Sequence, residues 1–339
     1  MNAKIDELVQ SHPLGRLCKK AKVKARESRG ARRTYSTPQR QRDEAQRRDW
    51  PSCEVVKIET PRVSVIIPTF DRGWCLREAV DSALAQEFTN FELIVVDDGS
   101  TDGTAELLEA YRPKVRLLRQ ANHGVSAARN RGIAAAAGEL IAFLDSDDLW
   151  RPQKLATQVE FFRAHPEALI AQTEESWVRN GRHVNPGKRH RKRSGMIFEP
   201  SLELCLVSPS AVMVRRELFD RVGLFDEGLP ACEDYDLWLR VSCCIPIHLI
   251  DIPLIVKRGG HADQLSRAWG LDQYRIASIL KLLQGGRLSA DQRTAAMRVL
   301  KHKCRVYAGG CRKRGRVEEA ERYEKLAGAG YNSANTNHV

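Results

Sequence analysis

No window of this 339-residue chain offers the ~18 consecutive apolar residues that a bilayer-spanning helix requires. Even the apolar run from Cys243 to Val256 is broken by His248, Asp251 and two prolines, so integral membrane insertion is not expected. The first twenty residues lack a continuous apolar segment and a small-residue cleavage site, which argues against a secretory signal and for a cytoplasmic protein. Paired cysteines are also missing. Of the nine cysteines only Cys243 and Cys244 adjoin, and no C-x-x-C occurs, so reduced structural thiols are expected instead of a disulfide framework or zinc knuckle. No G-x-G-x-x-G follows the first apolar run, which disfavours a dinucleotide oxidoreductase. A nucleotidyltransferase is the nearer enzyme alternative, but the glycine-rich basic loop such an activity usually needs is absent. With neither an aromatic-rich basic sheet nor a zinc motif, no specific nucleic acid partner is expected.

What is present is a chain that folds. Hydrophobic residues make up 42% and charged residues 29%, enough for one large or two modest cored domains. Lysine plus arginine (55) exceeds aspartate plus glutamate (43) by 12, which points to an anionic partner. The excess is uneven. The first fifty residues carry 14 Lys/Arg against 6 Asp/Glu and few large apolar side chains, so residues 1–60 read as a basic, disordered arm. Within it, Ile5, Leu8 and Val9 would allow a short amphipathic helix on an anionic membrane; a solvated tail is the plainer reading.

From Val63 short apolar runs alternate with amphipathic segments. Strands are expected at Val63–Ile67, Phe91–Val96, Val115–Leu118 and Leu140–Leu144, with helices near Glu78–Ala85, Thr104–Tyr111 and Val125–Ala137. That order predicts an α/β fold with a mainly parallel central sheet and helices on both faces. A hairpin is expected at Asn180-Gly181, a loop over Arg182–Arg193 with six Lys/Arg and no acid, a strand over Ser210–Val214, and helices at Arg216–Val222 and Glu233–Val241. Short apolar runs at Ile247–Ile250 and Leu254–Val256 close this domain, residues 61–270, and helical spacing from Asp272 to Ala327 predicts a helical extension over 271–339.

Ligands of such sheets collect beyond the carboxyl ends of the strands. Pro68-Thr69-Phe70-Asp71, Asp97-Asp98-Gly99-Ser100 and Asp145-Ser146-Asp147-Asp148 all stand there. Asp145 and Asp147 would hold Mg²⁺ or Mn²⁺ against a diphosphate, or Asp147 or Asp148 would merely cap the next helix. Asp98 would accept hydrogen bonds from a base or ribose, with Ser100 and Asp102 as caps. Phe70 either stacks on a planar base or closes the sheet end. Arg129, at a helix that opens near Asn122-His123-Gly124, suits a phosphate or is a solvated charge. An aspartate in Glu233-Asp234-Tyr235-Asp236 would take a proton from a hydroxyl, or the acids would cap the helix with Tyr235 and Trp238 as core. His261 would ligate a metal, touch a phosphate, or be a loop histidine without function.

Taken in order, V-S-V-I-I-P-T-F-D, V-V-D-D-G-S-T-D, N-H-G-V-S-A-A-R-N-R-G, F-L-D-S-D-D and E-D-Y-D-L-W-L-R resemble the family 2 glycosyltransferases over roughly Val63 to Gly260. The resemblance implies a GT-A fold and an inverting, metal-dependent transferase that takes sugar from a nucleotide diphosphate, most often UDP-linked, in cell-surface or other glycan synthesis. It implies that Pro68, Thr69 and Phe70 line the nucleoside pocket and that Asp98 contacts the base. Asp145 and Asp147 would serve ribose and metal, and Asp234, next to Glu233, would be the general base. The family often has asparagine where this chain has Asp71, and the Lys257-Arg258-Gly259-Gly260 lead-in to His261 matches loosely. The acceptor hydroxyl is unspecified, and the basic arm and loop would allow peripheral contact with an anionic membrane.

Overall fold

The computed structural model describes residues 60–261, 264 and 268–328. The basic arm, with Ile5, Leu8 and Val9, lies outside the described residues.

Strands β1 (Val63–Thr69), β2 (Phe91–Asp97), β3 (Arg116–Arg119) and β4 (Leu140–Phe143) pair in parallel in the order β3-β2-β1-β4. Each strand after β1 is reached through a helix: α1 (Leu76–Leu84), α2 (Thr104–Glu109) and α3 (Val125–Ala135). Every residue of β1 is buried, because helices cover both faces and leave no polar side to alternate with. The pleat sends Val65 and Ile67 to the core that holds Leu76 and Val80 of α1. Ile66 goes to the opposite core with Ile133 of α3.

Beyond β4 the sheet becomes mixed. Four more strands extend the order to β4-β8-β6-β9-β5: β5 (Leu149–Trp150), β6 (Ile170–Arg179), β8 (Val212–Arg215) and β9 (His248–Gly259). β8 runs antiparallel to both β4 and β6, whereas β6 and β9 pair in parallel, the longest pairing of this half. β6 turns into β7 (Arg182–Val184) through Asn180-Gly181, whose φ angles of 49° and 74° are the left-handed pair that a tight hairpin demands. The expected 182–193 loop therefore contains β7, followed by a short 3₁₀ turn at Lys188–His190. The two apolar runs around Pro253 form one strand, β9, whose pairing with β6 shifts register on either side of Glu174 to admit the proline.

Helix α4 (Lys154–Ala164) precedes β6, α5 (Phe198–Glu203) and α6 (Glu217–Val222) flank β8, and α7 (Glu233–Ser242) precedes β9. The chain continues in α8 (Leu271–Gln284), α9 (Ala290–Arg312) and α10 (Val317–Gly328). Ser289 and Gln292 start α9 with a reciprocal capping box. The apolar stripes of these helices do not face one another alone. Ile276, Ile279, Val299 and Leu300 share one core with Phe198 and Leu202 of α5 and Tyr235 and Leu239 of α7. Among the described residues no helix is long and apolar enough to cross a membrane.

Candidate active site

The strand ends are locked to one another by their own polar groups. Thr69 ends β1 with its carbonyl accepting the Asp98 N–H at 2.9 Å, while its buried hydroxyl has no hydrogen-bond partner among the described residues. Pro68 lies beside it, in register with Val96. Asp71 takes a left-handed φ of 49°; its N–H donates to Ser100 Oγ at 2.9 Å and its Oδ1 accepts the Thr101 N–H at 2.7 Å. Phe70, between them, is 43% exposed and so is not a core residue closing the sheet.

Asp98 is buried, and its carboxylate takes the Gln120 side-chain N–H at 2.7 Å and the backbone N–H groups of His123 and Gly124 at 3.0 and 2.8 Å. It thereby fixes the loop that opens α3. Gly99 is required here: at φ 87°, a Cβ would stand 3.0 Å from the Asn122 nitrogen. Asp102 acts as a local cap, accepting the Thr104 N–H at 3.1 Å and the Gly73 N–H at 2.9 Å.

In the Asp145–Asp148 turn the three aspartates do different work. Neither Asp147 nor Asp148 caps α4, whose N-cap position is Gln153 without a side-chain cap. Asp148 is buried and clamps the turn to β9 and β8, accepting the Arg258 N–H at 3.0 Å and the Ser210 hydroxyl at 2.7 Å. Burial pushes its carboxyl well above the ordinary value; Lys257 opposes this, and the Asp147 and Asp145 charges add to it. Asp147 meets His261 Nε2 at 2.8 Å, and the His261 ring sits edge-on to Trp74 with centroids 5.3 Å apart.

Asp145 accepts from Arg129 Nη2 at 2.7 Å, and the other terminal nitrogen of Arg129 binds Glu233 at 2.6 Å. Arg129 is 3% exposed, so it is neither a solvated charge nor open to a phosphate. It is the internal tie between the aspartate turn and α7. Burial opposes the charge of Arg129, but Asp145 and Glu233 outweigh it and hold the guanidinium protonated.

Helix α7 starts at an unusual backbone position, Cys232 at φ 61°, which sets Glu233 toward the interior and leaves Asp234 half-buried. Tyr235 and Trp238 are core, as expected. Asp234 lies on a cavity of about 610 Å³ whose wall also includes Cys205, Lys257 and Trp177. Its Oδ1 accepts the Tyr235 N–H at 2.7 Å and its Oδ2 receives the Cys205 thiol at 3.5 Å. Burial, then the Asp234 charge, push that thiol well up. Lys257 bonds Ser208 Oγ at 3.4 Å. Burial disfavours its charge, but Glu175, Asp148, Asp145 and Asp234 together raise its pKa.

Lys257 and Cys205 escaped the sequence reading. Lys257 follows directly on the Leu254–Val256 run, and the strand-end rule applied to that run would have found it; Cys205 carries no sequence signal.

The donor chemistry for a divalent cation rests on few groups. Among the described residues no three His, Cys, Asp or Glu side chains converge into a ready-made cage. Asp147 and His261 nonetheless form a contacting carboxylate–imidazole pair with side chains 21% and 15% exposed. Such a pair fits a cation whose remaining ligands are phosphate oxygens and water.

A parallel half-sheet with aspartates beyond β2 and β4, continued by a mixed half that brings in α7, defines a GT-A type α/β fold. Residues 64–223 match the family model for glycosyl transferase family 2. An uncharacterized glycosyltransferase of Rickettsia prowazekii is 33% identical over 212 residues, 61% of this chain and 66% of that protein. Another, of Rickettsia felis, is 32% identical over 219 residues, covering 62% of this chain but 36% of the relative. The chain thus spans between about a third and two thirds of these relatives. Among solved structures, S. aureus TarS 1–349 in complex with UDP-GlcNAc superposes with a TM-score of 0.61 at 22% identity, covering 78% of this chain and 79% of that one. The mannosyltransferase PcManGT from Pyrobaculum calidifontis, in complex with GDP-Man and Mn²⁺, gives 0.54 at 19% identity over 81% and 77%. Residues 64–223 thus make up a glycosyl transferase family 2 domain.

Proposed function

We propose that this protein transfers a sugar from a nucleotide diphosphate donor to an acceptor hydroxyl with inversion, using Asp234 as general base. The observation that carries the reading is the Asp145–Arg129–Glu233 chain of ion pairs, which ties the aspartate turn to the residue next to Asp234. A donor at the strand ends and an acceptor in the cavity would then meet in one rigid frame. Pro68, Thr69, Phe70 and Asp71 would border the nucleoside. Asp98 would shape that pocket chiefly by fixing the 120–124 loop, and Arg129 would act through Asp145.

The Asp234 carboxylate would take the acceptor proton as the oxygen attacks the anomeric carbon from the side opposite the diphosphate. Asp147, His261 and Asp145 would hold Mg²⁺ or Mn²⁺, which when bound neutralises charge on the leaving diphosphate. UDP-linked donors are the first choice, supported by the UDP-GlcNAc bound in the TarS structure. A cytoplasmic location, peripheral contact with an anionic membrane and a role in cell-surface glycan synthesis belong to this proposal and draw support from the net positive charge.

The test is Asp234→Asn. Transfer should fall by ~10²–10⁴ while donor binding, read by thermal shift with UDP- and GDP-sugars, is kept. Wild-type transfer by this variant would refute the base assignment, and a product retaining the donor's anomeric configuration would refute inversion.

A further inference from the structure

We propose that the cavity beside Asp234 accepts a saccharide or polyol bearing a phosphate ester, gripped by Arg179, Arg189 and Lys257 around the indole of Trp177. This rests on the reading of that cavity as the acceptor side of a glycosyltransferase. All four residues line it.

Four acids, Glu175, Glu203, Asp234 and Asp272, stand on the wall against seven Lys and Arg side chains, and two of the four are held by other cations. Glu175 faces the buried Lys192 at 3.6 Å, and Asp272 pairs with Arg275 at 3.0 Å and Lys303 at 3.6 Å. Among the described residues Arg179, Arg189 and Lys257 form no ion pair, so the wall keeps a positive excess. That excess converges on one ring. The Arg179 guanidinium lies 5.7 Å and the Lys257 ammonium 5.9 Å from the Trp177 ring centroid. His190 meets the indole edge-on at 5.2 Å and receives the Arg189 Nε–H at 3.2 Å. Burial, then Arg189, Arg179 and Lys257, hold the His190 ring below its ordinary pKa, with Glu175 opposing.

A neutral sugar would leave the Arg179 and Arg189 guanidinium groups in a partly desolvated pocket without a paired anion. A phosphate ester supplies one charge as a diester and up to two as a monoester, with oxygens that match the guanidinium fork, and the indole offers an apolar face to the attached ring. Part of the wall comes from α8 and α9, through Arg275 and Lys303, so the recognition surface extends past the segment that matches the family model.

The experiment is calorimetric titration of the full chain with glucose, glucose 6-phosphate, and a short-chain prenyl phosphosugar in detergent micelles, with UDP titrated in parallel. Glucose 6-phosphate or the prenyl compound should bind and glucose should not. Arg179→Gln combined with Arg189→Gln should weaken that binding about tenfold or more, leaving UDP affinity and Tm unchanged, and the paired lysine variants should restore part of it. Preference for the prenyl compound assigns a lipid-linked source, and equal binding assigns a soluble one. The proposal is overturned if glucose binds as well, if neither phosphate compound binds, or if the double variant binds either as tightly as the wild type. Loss of UDP binding alone, with the arginine dependence intact, would sink the donor reading and leave the cavity assignment standing.

Discussion

Arg129 and Glu233 stand 104 residues apart in sequence and meet at 2.6 Å inside the protein. Burial pushes the Glu233 carboxyl above its ordinary value; Arg129 opposes this, and the Asp234 charge adds to it.

Replacing Arg129 by methionine leaves two buried or half-buried carboxylates without their cation. Stability should fall by ~3–5 kcal/mol, read as a lower midpoint in urea. Arg129→Lys should recover only part, because an ammonium does not span Asp145 and Glu233 as the forked guanidinium does.

Glu175 gives a pH test. Burial raises its carboxyl, but Lys192, Lys257 and hydrogen bonds from Trp177 and Ser208 more than reverse this and hold it below the usual range. A depressed folded value means the contribution to stability is present above the unfolded pKa of about 4.3 and is lost as pH falls through the folded value. Glu175→Gln should therefore lower Tm most near neutral pH, and the gap to wild type should close in acid as Glu175 protonates. A gap independent of pH would mean that the lost interaction is not ionic.

Removing His261 tests the cation pair. With UDP present, His261→Ala should weaken Mn²⁺ binding, measured by loss of the free-ion paramagnetic resonance signal, and Asp147→Ala should weaken it further. Unchanged binding in both would move the cation elsewhere.

Helices α8 and α9 should be inseparable from α7 in folding. Ile279 is fully buried in the core that also holds Tyr235 and Leu239. Ile279→Ala should cost ~2–5 kcal/mol and lower transfer and global stability together at raised temperature.

Cysteine accessibility is a final check. Cys244 is exposed, whereas Cys75, Cys304 and Cys311 are buried, with thiols pushed up by burial. Mass-mapped alkylation of the native protein should mark Cys244 before Cys75, Cys304 and Cys311, which should react only on unfolding.

By itself the sequence determined the βαβ opening, the Asn180-Gly181 hairpin, the positions of the acids beyond β2 and β4, and the start of α7. These are local matters: two-residue pleat, helical period, turn chemistry and polar residues placed just after apolar runs. Tertiary structure decided what each polar group does. Arg129, Asp145 and Glu233 come from three separate elements, so only their packing shows that the arginine bridges two carboxylates and does not await a phosphate. Asp148 could have capped α4 by its position, yet Ser210 and Arg258 claim it because β8 and β9 pass close by. The antiparallel entry of β8 and the union of two apolar runs into β9 depend on pairing partners, which periodicity does not name. The α8 and α9 side chains reach the Asp234 cavity for a similar reason: an apolar helical stripe specifies that it must be buried, and only the available surface of α5 and α7 settles against what.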